Sequence, residues 1–256
     1  MTLQPMHPFD LSGKVAVVTG SNTGLGAGMA CALAAAGCDI VGVSRSDDSD
    51  TAQRVQALGR RYAGVNANLS SIAPVDDIVR AALEACGRID VLVNNAGIIR
   101  RADALSFSED DWDDVMNVNL KSAFFLAQAV ARHFVEHEKR GKIINVASML
   151  SFQGGIRVAS YTSSKSGILG LTRLLANEWA ARGINVNAIA PGYMATLNTA
   201  ALREDERRNG EILARIPAGR WGTPEDLAGP AVFLASSASD YVHGHTLAVD
   251  GGWLAR

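Results

Sequence analysis

Short runs of apolar, mostly β-branched residues recur along this chain, each separated from the next by a longer stretch compatible with a helix. That alternation limits the fold more than any other feature. Residues 14–19 form the first run and meet a glycine-rich turn, after which an alanine-rich segment continues to Ala36. Runs at 39–44, 89–93, 142–146 and 184–189 repeat the pattern. Strands that are apolar on both faces must be covered on both faces, and parallel strands need long crossovers, which here are helical. The chain is therefore predicted to be α/β, a doubly wound parallel sheet with helices on both faces. Its 256 residues suit one sizeable domain, 1–256, rather than a pair of independent ones.

Helix starts are marked as well. Thr223-Pro224-Glu225-Asp226 offers an N-cap hydroxyl, a first-turn proline and early acids. Before it, residues 191–222 form a long connection, charged in its middle and ending in Pro217-Ala218-Gly219. A substrate-covering flap is expected there, at about 193–216.

Charge and composition exclude several classes. The formal net charge is −2, with acids and bases interspersed and no basic block, so nucleic acid is not an expected partner. Residues 1–13 lack the basic region and apolar run of a secretory signal. Apolar stretches such as 29–36 fall far short of the ~20 residues needed to span a bilayer, so no membrane association is expected. Three cysteines, Cys31, Cys38 and Cys86, are few and odd in number, which suits a reducing cytoplasm better than a disulfide framework.

Chemistry gathers at four places. Gly20, Gly24 and Gly26 sit where the first strand turns into its helix, where glycine lets a pyrophosphate approach backbone amides at the positive helix end. Asn94-Asn95-Ala96-Gly97 follows the fourth strand, at the carboxyl edge where open α/β sheets bind ligands. Small residues there admit the adenosine side of a dinucleotide, and the asparagine amides can tie neighbouring loops together. Ser148 follows the fifth strand and can donate to a carbonyl oxygen as charge builds on it. Tyr161 and Lys165 are four apart, so on a helix they share a face. A free phenol titrates near ~10, and the ammonium, together with an oxidised nicotinamide, is expected to bring Tyr161 toward the working range.

His133-Phe134-Val135-Glu136-His137 has the HxxEH spacing of some zinc proteases. It lies near a charged helix end with no further ligand in view, so a solvated helix end is expected and no metal site. His243 and His245 are expected to serve structure or a subunit contact.

The motifs together resemble the short-chain dehydrogenase/reductase family over essentially the whole length. The family pattern TGxxxGxG matches residues 19–26, NNAG matches 94–97, and the family's asparagine, serine, tyrosine and lysine match Asn119, Ser148, Tyr161 and Lys165. The resemblance implies a Rossmann-type fold, an NAD(P)-dependent oxidoreductase acting on CH–OH groups, and a homotetramer. It implies that Asn119 holds a helix and a water in a proton relay, Ser148 orients the carbonyl, Tyr161 exchanges the proton, and Lys165 also binds the nicotinamide ribose. The implied dinucleotide contacts are Gly20, Asn22, Thr23, Gly24, Leu25 and Gly26 in the first turn and Asn95, Ala96 and Gly97 after the fourth strand. Tyr161 and Lys165 are shared with catalysis, while Pro191, Gly192, Met194 and Thr196 flank the carboxamide.

Residues 94–101, 147–158 and 249–256 resemble, more narrowly, the 2-deoxy-D-gluconate 3-dehydrogenases, also described as 2-dehydro-3-deoxy-D-gluconate 5-dehydrogenases, of uronate catabolism. That likeness implies a sugar acid carrying a ketone and a carboxylate. Arg157, four positions before Tyr161, is a candidate for the carboxylate, and Gln153, five after Ser148, for a sugar hydroxyl, beside Ser148 and Tyr161. Arg100 and Arg101 read equally as surface or subunit contacts. Two departures bear on the adenosine end. Asn68, next to Leu69, stands where the family commonly has an aspartate that accepts from adenine. Ser44-Arg45 followed by Asp47-Asp48 replaces a carboxylate that would repel a 2′-phosphate. Arg45 leaves NADP(H) open, whereas an uncharged Thr23 and the sugar-acid relatives favour NAD(H). The competing readings are gluconate 5-dehydrogenase, 3-oxoacyl-acyl-carrier-protein reductase, a dinucleotide sensor without chemistry, and a metalloprotease.

Overall fold

The computed structural model describes residues 7–256; positions 1–6 of the N-terminal segment read above for a secretory signal lie outside the described residues. Seven strands form one sheet in the order β3-β2-β1-β4-β5-β6-β7. They are β1 (Val15–Thr19), β2 (Asp39–Ser44), β3 (Tyr62–Asn66), β4 (Val91–Asn94), β5 (Gly141–Val146), β6 (Ile184–Pro191) and β7 (Thr246–Val249). Every neighbouring pair is parallel, with Val17 opposite Val41 on one side and Leu92 on the other. The order reverses between β1 and β4, and that switch point opens the crevice in which such sheets bind ligands.

The connecting helices are α1 (Gly24–Ala35), α2 (Ser49–Ala57), α3 (Val75–Cys86), α4 (Glu109–Met116), α5 (Ser122–Glu136), α6 (Ala159–Trp179), α7 (Ala200–Glu204), α8 (Glu206–Arg215) and α9 (Ala228–Ala235). Alternation along the strands sorts them onto two faces. Val15 and Val17 bury against Ile78 of α3, Leu126 of α5 and Leu175 of α6. Ala16 and Val18 bury against Met29 of α1, Val55 of α2 and Leu234 of α9.

The runs read from sequence correspond to β1, β2, β4, β5 and β6. The two strands outside them, β3 and β7, are the sheet edges and are mostly only half-buried. Covered from one side only, an edge strand needs no continuous apolar run and leaves little periodicity to read. Thr223 does begin a helical turn: it forms a capping box with Asp226 over Pro224–Leu227, which leads into α9. His243 places Nε2 3.2 Å from Asn185 Nδ2 on β6. No helix among the described residues is long and apolar enough to cross a membrane.

Candidate active site

A cavity of about 1070 Å³ runs along the carboxyl edge of the sheet from the β1–α1 turn to α8. Its first half is made mostly of backbone. Gly20 (φ +64) and Gly24 (φ +56) take left-handed conformations that turn β1 into α1. A Cβ on Gly26 would lie 2.0 Å from Gly20 O and 2.5 Å from Asn95 Nδ2, so this crossing admits no side chain. Asn95 Nδ2 donates to Thr19 O (2.9 Å) and Gly20 O (3.2 Å), while Thr19 Oγ1 accepts from the backbone N–H of Asn95 (3.0 Å) and Ala96 (2.9 Å). The loops after β1 and β4 are thereby stitched together. Thr23, the N-cap of α1, makes no side-chain capping bond, which leaves the first N–H groups of the helix to a ligand. This bare, glycine-lined cradle fits a dinucleotide pyrophosphate, with Asn22 and Leu25 also on its wall.

At the adenosine end the wall carries Arg45, Asn68 and Leu69. The two acids after β2 turn elsewhere: Asp47 accepts from Ser49 Oγ (2.7 Å) and Asp48 from the Tyr62 hydroxyl (2.7 Å). Arg45 is exposed and forms no ion pair among the described residues. Asn68 Oδ1 accepts from Ser70 N–H (3.1 Å), so its oxygen is partly committed to its own turn. At the other end, Gly97, Pro191, Gly192, Met194 and Thr196 line the cavity; a Cβ on Gly192 would strike Asp250 Cα at 2.6 Å.

The four residues matched to the catalytic pattern come from three elements. Tyr161 and Lys165 stand one turn apart on α6, and Ser148 ends the loop from β5 with its Oγ accepting from Leu150 N–H at 3.1 Å. Asn119 sits in a π-helical turn, Asn117–Lys121, between α4 and α5, the kind of distortion found at functional sites. Its amide is fully engaged: Oδ1 accepts from Ile98 N–H (2.8 Å) and Nδ2 donates to Ile98 O (2.9 Å) and Ser164 Oγ (3.2 Å). Asn119 thus braces the loop after β4 against α6. Ser148, Tyr161 and Lys165 all line the cavity.

Around Tyr161, burial and the neighbouring groups act in opposite directions. Burial pushes its phenol up, and the Ser148 hydrogen bond and Arg101 charge only partly oppose this. Lys165 turns its ammonium to the backbone. Its ammonium lies 5.8 Å from the phenol ring centroid and donates to Val146 O at 2.6 Å, and burial pushes it down to about 8. Helical spacing brought the residues side by side but turned the cation toward β5.

The far half of the cavity is cationic. Arg101, Arg157, Arg207, Arg208 and Arg215 line it, and among the described residues the only carboxylate on the wall is Glu211. Glu211 accepts from Arg207 (2.9 Å) and Arg208 (3.1 Å). Arg157 is exposed at φ +62, its carbonyl accepting from Ala102 N–H at 3.2 Å. Gln153 lines the cavity but its Oε1 accepts from Arg215 at 3.2 Å. Sequence reasoning missed Arg207, Arg208, Glu211, Arg215 and Trp253. The Arg207, Glu211, Arg215 spacing of one helical turn per step was the available signal. Within the segment expected to form a flap, residues 200–215 hold two short helices, α7 and α8. Arg100 faces away, paired with Asp111 and Asp114.

The HxxEH segment ends α5, with Val135, Glu136 and His137 exposed at the helix end while His133 and Phe134 turn inward. His133 is buried on α5, and its ring lies 4.4 Å, centroid to centroid, from the exposed His137 ring with the planes tilted by 40°. Among the described residues no group of three or more histidines, cysteines or acids could hold a metal ion.

A family profile described as enoyl-(acyl carrier protein) reductase matches residues 20–254. The 2-dehydro-3-deoxy-D-gluconate 5-dehydrogenase of Escherichia coli K12 is 66% identical over 251 residues, 98% of this chain and 99% of that protein. A crystal structure from Agrobacterium tumefaciens, provisionally assigned as a 2-deoxy-D-gluconate 3-dehydrogenase and holding NADP, superposes with a TM-score of 0.93 at 56% identity, covering 98% of this chain and 100% of that one. A Beutenbergia cavernae structure, provisionally an NAD(P)-dependent gluconate 5-dehydrogenase with NADP at low occupancy, gives 0.93 at 50% identity over the same shares.

Proposed function

The chain belongs to the short-chain dehydrogenase/reductase family, and from that premise we propose that it interconverts a secondary alcohol and a ketone on a deoxy sugar acid of the 2-dehydro-3-deoxy-D-gluconate type, within uronate catabolism. It is a nicotinamide-dinucleotide oxidoreductase of CH–OH groups. The observation that carries the substrate class is the far half of the cavity, where Arg101, Arg157, Arg207, Arg208 and Arg215 are accompanied, among the described residues, by a single carboxylate, Glu211. The chain as a whole has a net charge of −2. Concentrating cations at one mouth of an acidic protein favours an anionic substrate both in encounter and in binding.

The bound dinucleotide supplies the hydride that a ketone carbon takes up, or receives it in the reverse direction. This chain's residues handle the oxygen and its proton. Tyr161, whose phenol burial pushes up, donates the proton that the reduced oxygen gains. Ser148 donates a hydrogen bond to the same oxygen as its charge grows. Lys165, fixed by Val146 O, presents its remaining N–H groups to the ribose, and Asn119 keeps α6 and the loop after β4 in register. Residues 193–216 cover the substrate.

For the cofactor, Arg45 supports NADP(H) over the NAD(H) favoured from sequence. Its guanidinium stands at the adenosine end, while Asp47 and Asp48, the acids that would repel a 2′-phosphate, are bonded to Ser49 and Tyr62. A cytoplasmic homotetramer belongs to the same proposal, supported by unpaired cysteines and by exposed apolar side chains such as Leu174 and Tyr241.

The test is a panel of 2-dehydro-3-deoxy-D-gluconate, 2-deoxy-D-gluconate, D-gluconate and a 3-oxoacyl thioester, each with both dinucleotides. The deoxy sugar acids are expected to have the highest kcat/KM and the thioester to be poorer by orders of magnitude. Preferred turnover of the thioester would overturn the reading.

A further inference from the structure

We infer that Arg215, laid over Trp253 and joined to Gln153, receives the substrate carboxylate, the role that sequence spacing suggested for Arg157; the inference rests on the sugar-acid reading above. The guanidinium carbon of Arg215 lies 4.0 Å from the Trp253 ring centroid, and a terminal nitrogen donates to Gln153 Oε1 at 3.2 Å. A guanidinium stacked on an aromatic face keeps its in-plane N–H groups free around the rim. With its oxygen already accepting from Arg215, Gln153 has its two amide N–H groups and one oxygen lone pair left to offer. The pair therefore presents mostly donors, and both residues line the cavity. A donor-rich pair centred on a guanidinium matches an ionised carboxylate, which only accepts, better than a hydroxyl.

The pair is held before any ligand arrives. Trp253 is 5% exposed and packs with Met149, Ile212 and Ile216, with Tyr193 edge-on at 4.8 Å. Arg256 donates to Ala214 O (2.6 Å) and Arg215 O (3.2 Å), closing the last carbonyls of α8. Trp221 Nε1 donates to Asn209 Oδ1 (2.7 Å) on the same helix. An arginine whose rotamer is already fixed loses less freedom on binding.

The other cavity arginines are placed less well. Arg207 and Arg208 share Glu211, which takes up part of their charge. Arg101 donates to Asn198 O at 3.4 Å. Arg157 lies in a loop with a left-handed backbone, and no side-chain hydrogen bond among the described residues fixes its guanidinium. Arg215 has no carboxylate within ion-pair distance among the described residues.

The experiment compares wild type, Arg215→Met, Arg215→Lys and Arg157→Met on 2-dehydro-3-deoxy-D-gluconate and on its methyl ester, with dinucleotide Kd and Tm measured alongside. Arg215→Met is expected to lower kcat/KM for the acid by about 30-fold or more, mostly through KM, as befits a charge-assisted contact made in ground and transition states alike. The ester should change little, so the acid-to-ester preference collapses. Arg215→Lys, which keeps charge but not the planar fork, should restore part of that preference, with Kd for the dinucleotide unchanged. If Arg215→Met does not fold, Arg215→Lys alone must still narrow the preference. Equal losses on acid and ester, or a collapse of preference in Arg157→Met instead, overturn the assignment of Arg215. A wild type inactive on every sugar acid sinks the proposed function itself, a distinct result.

Discussion

The two halves of the cavity are built by opposite means. Around the β1–α1 turn the wall is made by leaving side chains out, at Gly20, Gly24 and Gly26, and by stitching backbone to Asn95. Around α8 it is made by putting long side chains in, with Arg207, Glu211 and Arg215 on one helical face. On the proposed reading, a backbone cradle meets what every dinucleotide shares, so changing it would change everything bound there. A fringe of charged side chains can be altered one residue at a time, which is how a common fold takes on different substrates.

Tyr161 stands where the halves meet, and its loss should have the largest effect. Tyr161→Phe keeps the ring and removes the exchangeable proton, so turnover should fall by several orders of magnitude while dinucleotide Kd holds. Stopped-flow and equilibrium titration separate the two. Near wild-type turnover would break the division of labour at its centre.

Lys165 sharpens the same boundary through pH. Its ammonium is pushed down to about 8 by burial, below the ~10.4 of an unfolded lysine. Between those values the unfolded chain binds a proton that the folded chain has released. Stability of the protein without dinucleotide should therefore rise as pH climbs from about 8 toward ~10.4, by up to about 3 kcal/mol, and be lost as pH falls back through 8. Urea midpoints at the two ends should show that gain in wild type and less of it in Lys165→Met. An equal gain in both would place its source elsewhere.

The unequal legibility of the two halves follows from how they are made. Gly20, Gly24, Gly26, Tyr161 and Lys165 act through spacings of a few residues, which a sequence displays directly. The five inner strands were equally plain because burial on both faces demands continuous apolar runs. Arg215 meets Gln153 across 62 positions and Arg256 reaches back 42 to Ala214, pairings that only the folded chain creates. Tyr161 and Lys165 add a warning. Their spacing was visible, but not that Lys165 would donate to Val146 O.

Gly26→Ala tests the backbone half directly. The added carbon would fall 2.0 Å from Gly20 O, where only a shift of the turn can make room, at a cost of about 1–3 kcal/mol. Tm should fall, and Kd for either dinucleotide should rise together. A variant with unchanged Kd would mean that the cradle is not the cofactor site.

Arg45→Asp acts on the rim of that half and should discriminate. Loss of a cation and gain of an anion beside a 2′-phosphate should weaken NADPH by about tenfold or more, with NADH little changed. Parallel changes in the two Kd values would mean that Arg45 only faces solvent.

The smallest effect should come from the same glycine-to-alanine change made in the substrate half. Gly210 lies inside α8, and a Cβ built there meets nothing within 4 Å. Glycine within a helix costs roughly 0.5–1 kcal/mol relative to alanine, because more backbone freedom is lost on folding. Gly210→Ala should therefore stabilise the protein by about that amount, a rise in Tm of about 1–4 °C for a chain of this size, with kcat/KM for the sugar acid kept. The same methyl group would then be destabilising at Gly26 and stabilising at Gly210. Should Gly210→Ala instead raise KM with Tm increased, α8 must change its backbone to receive substrate, and the side-chain half would depend on helix movement as well as on its arginines.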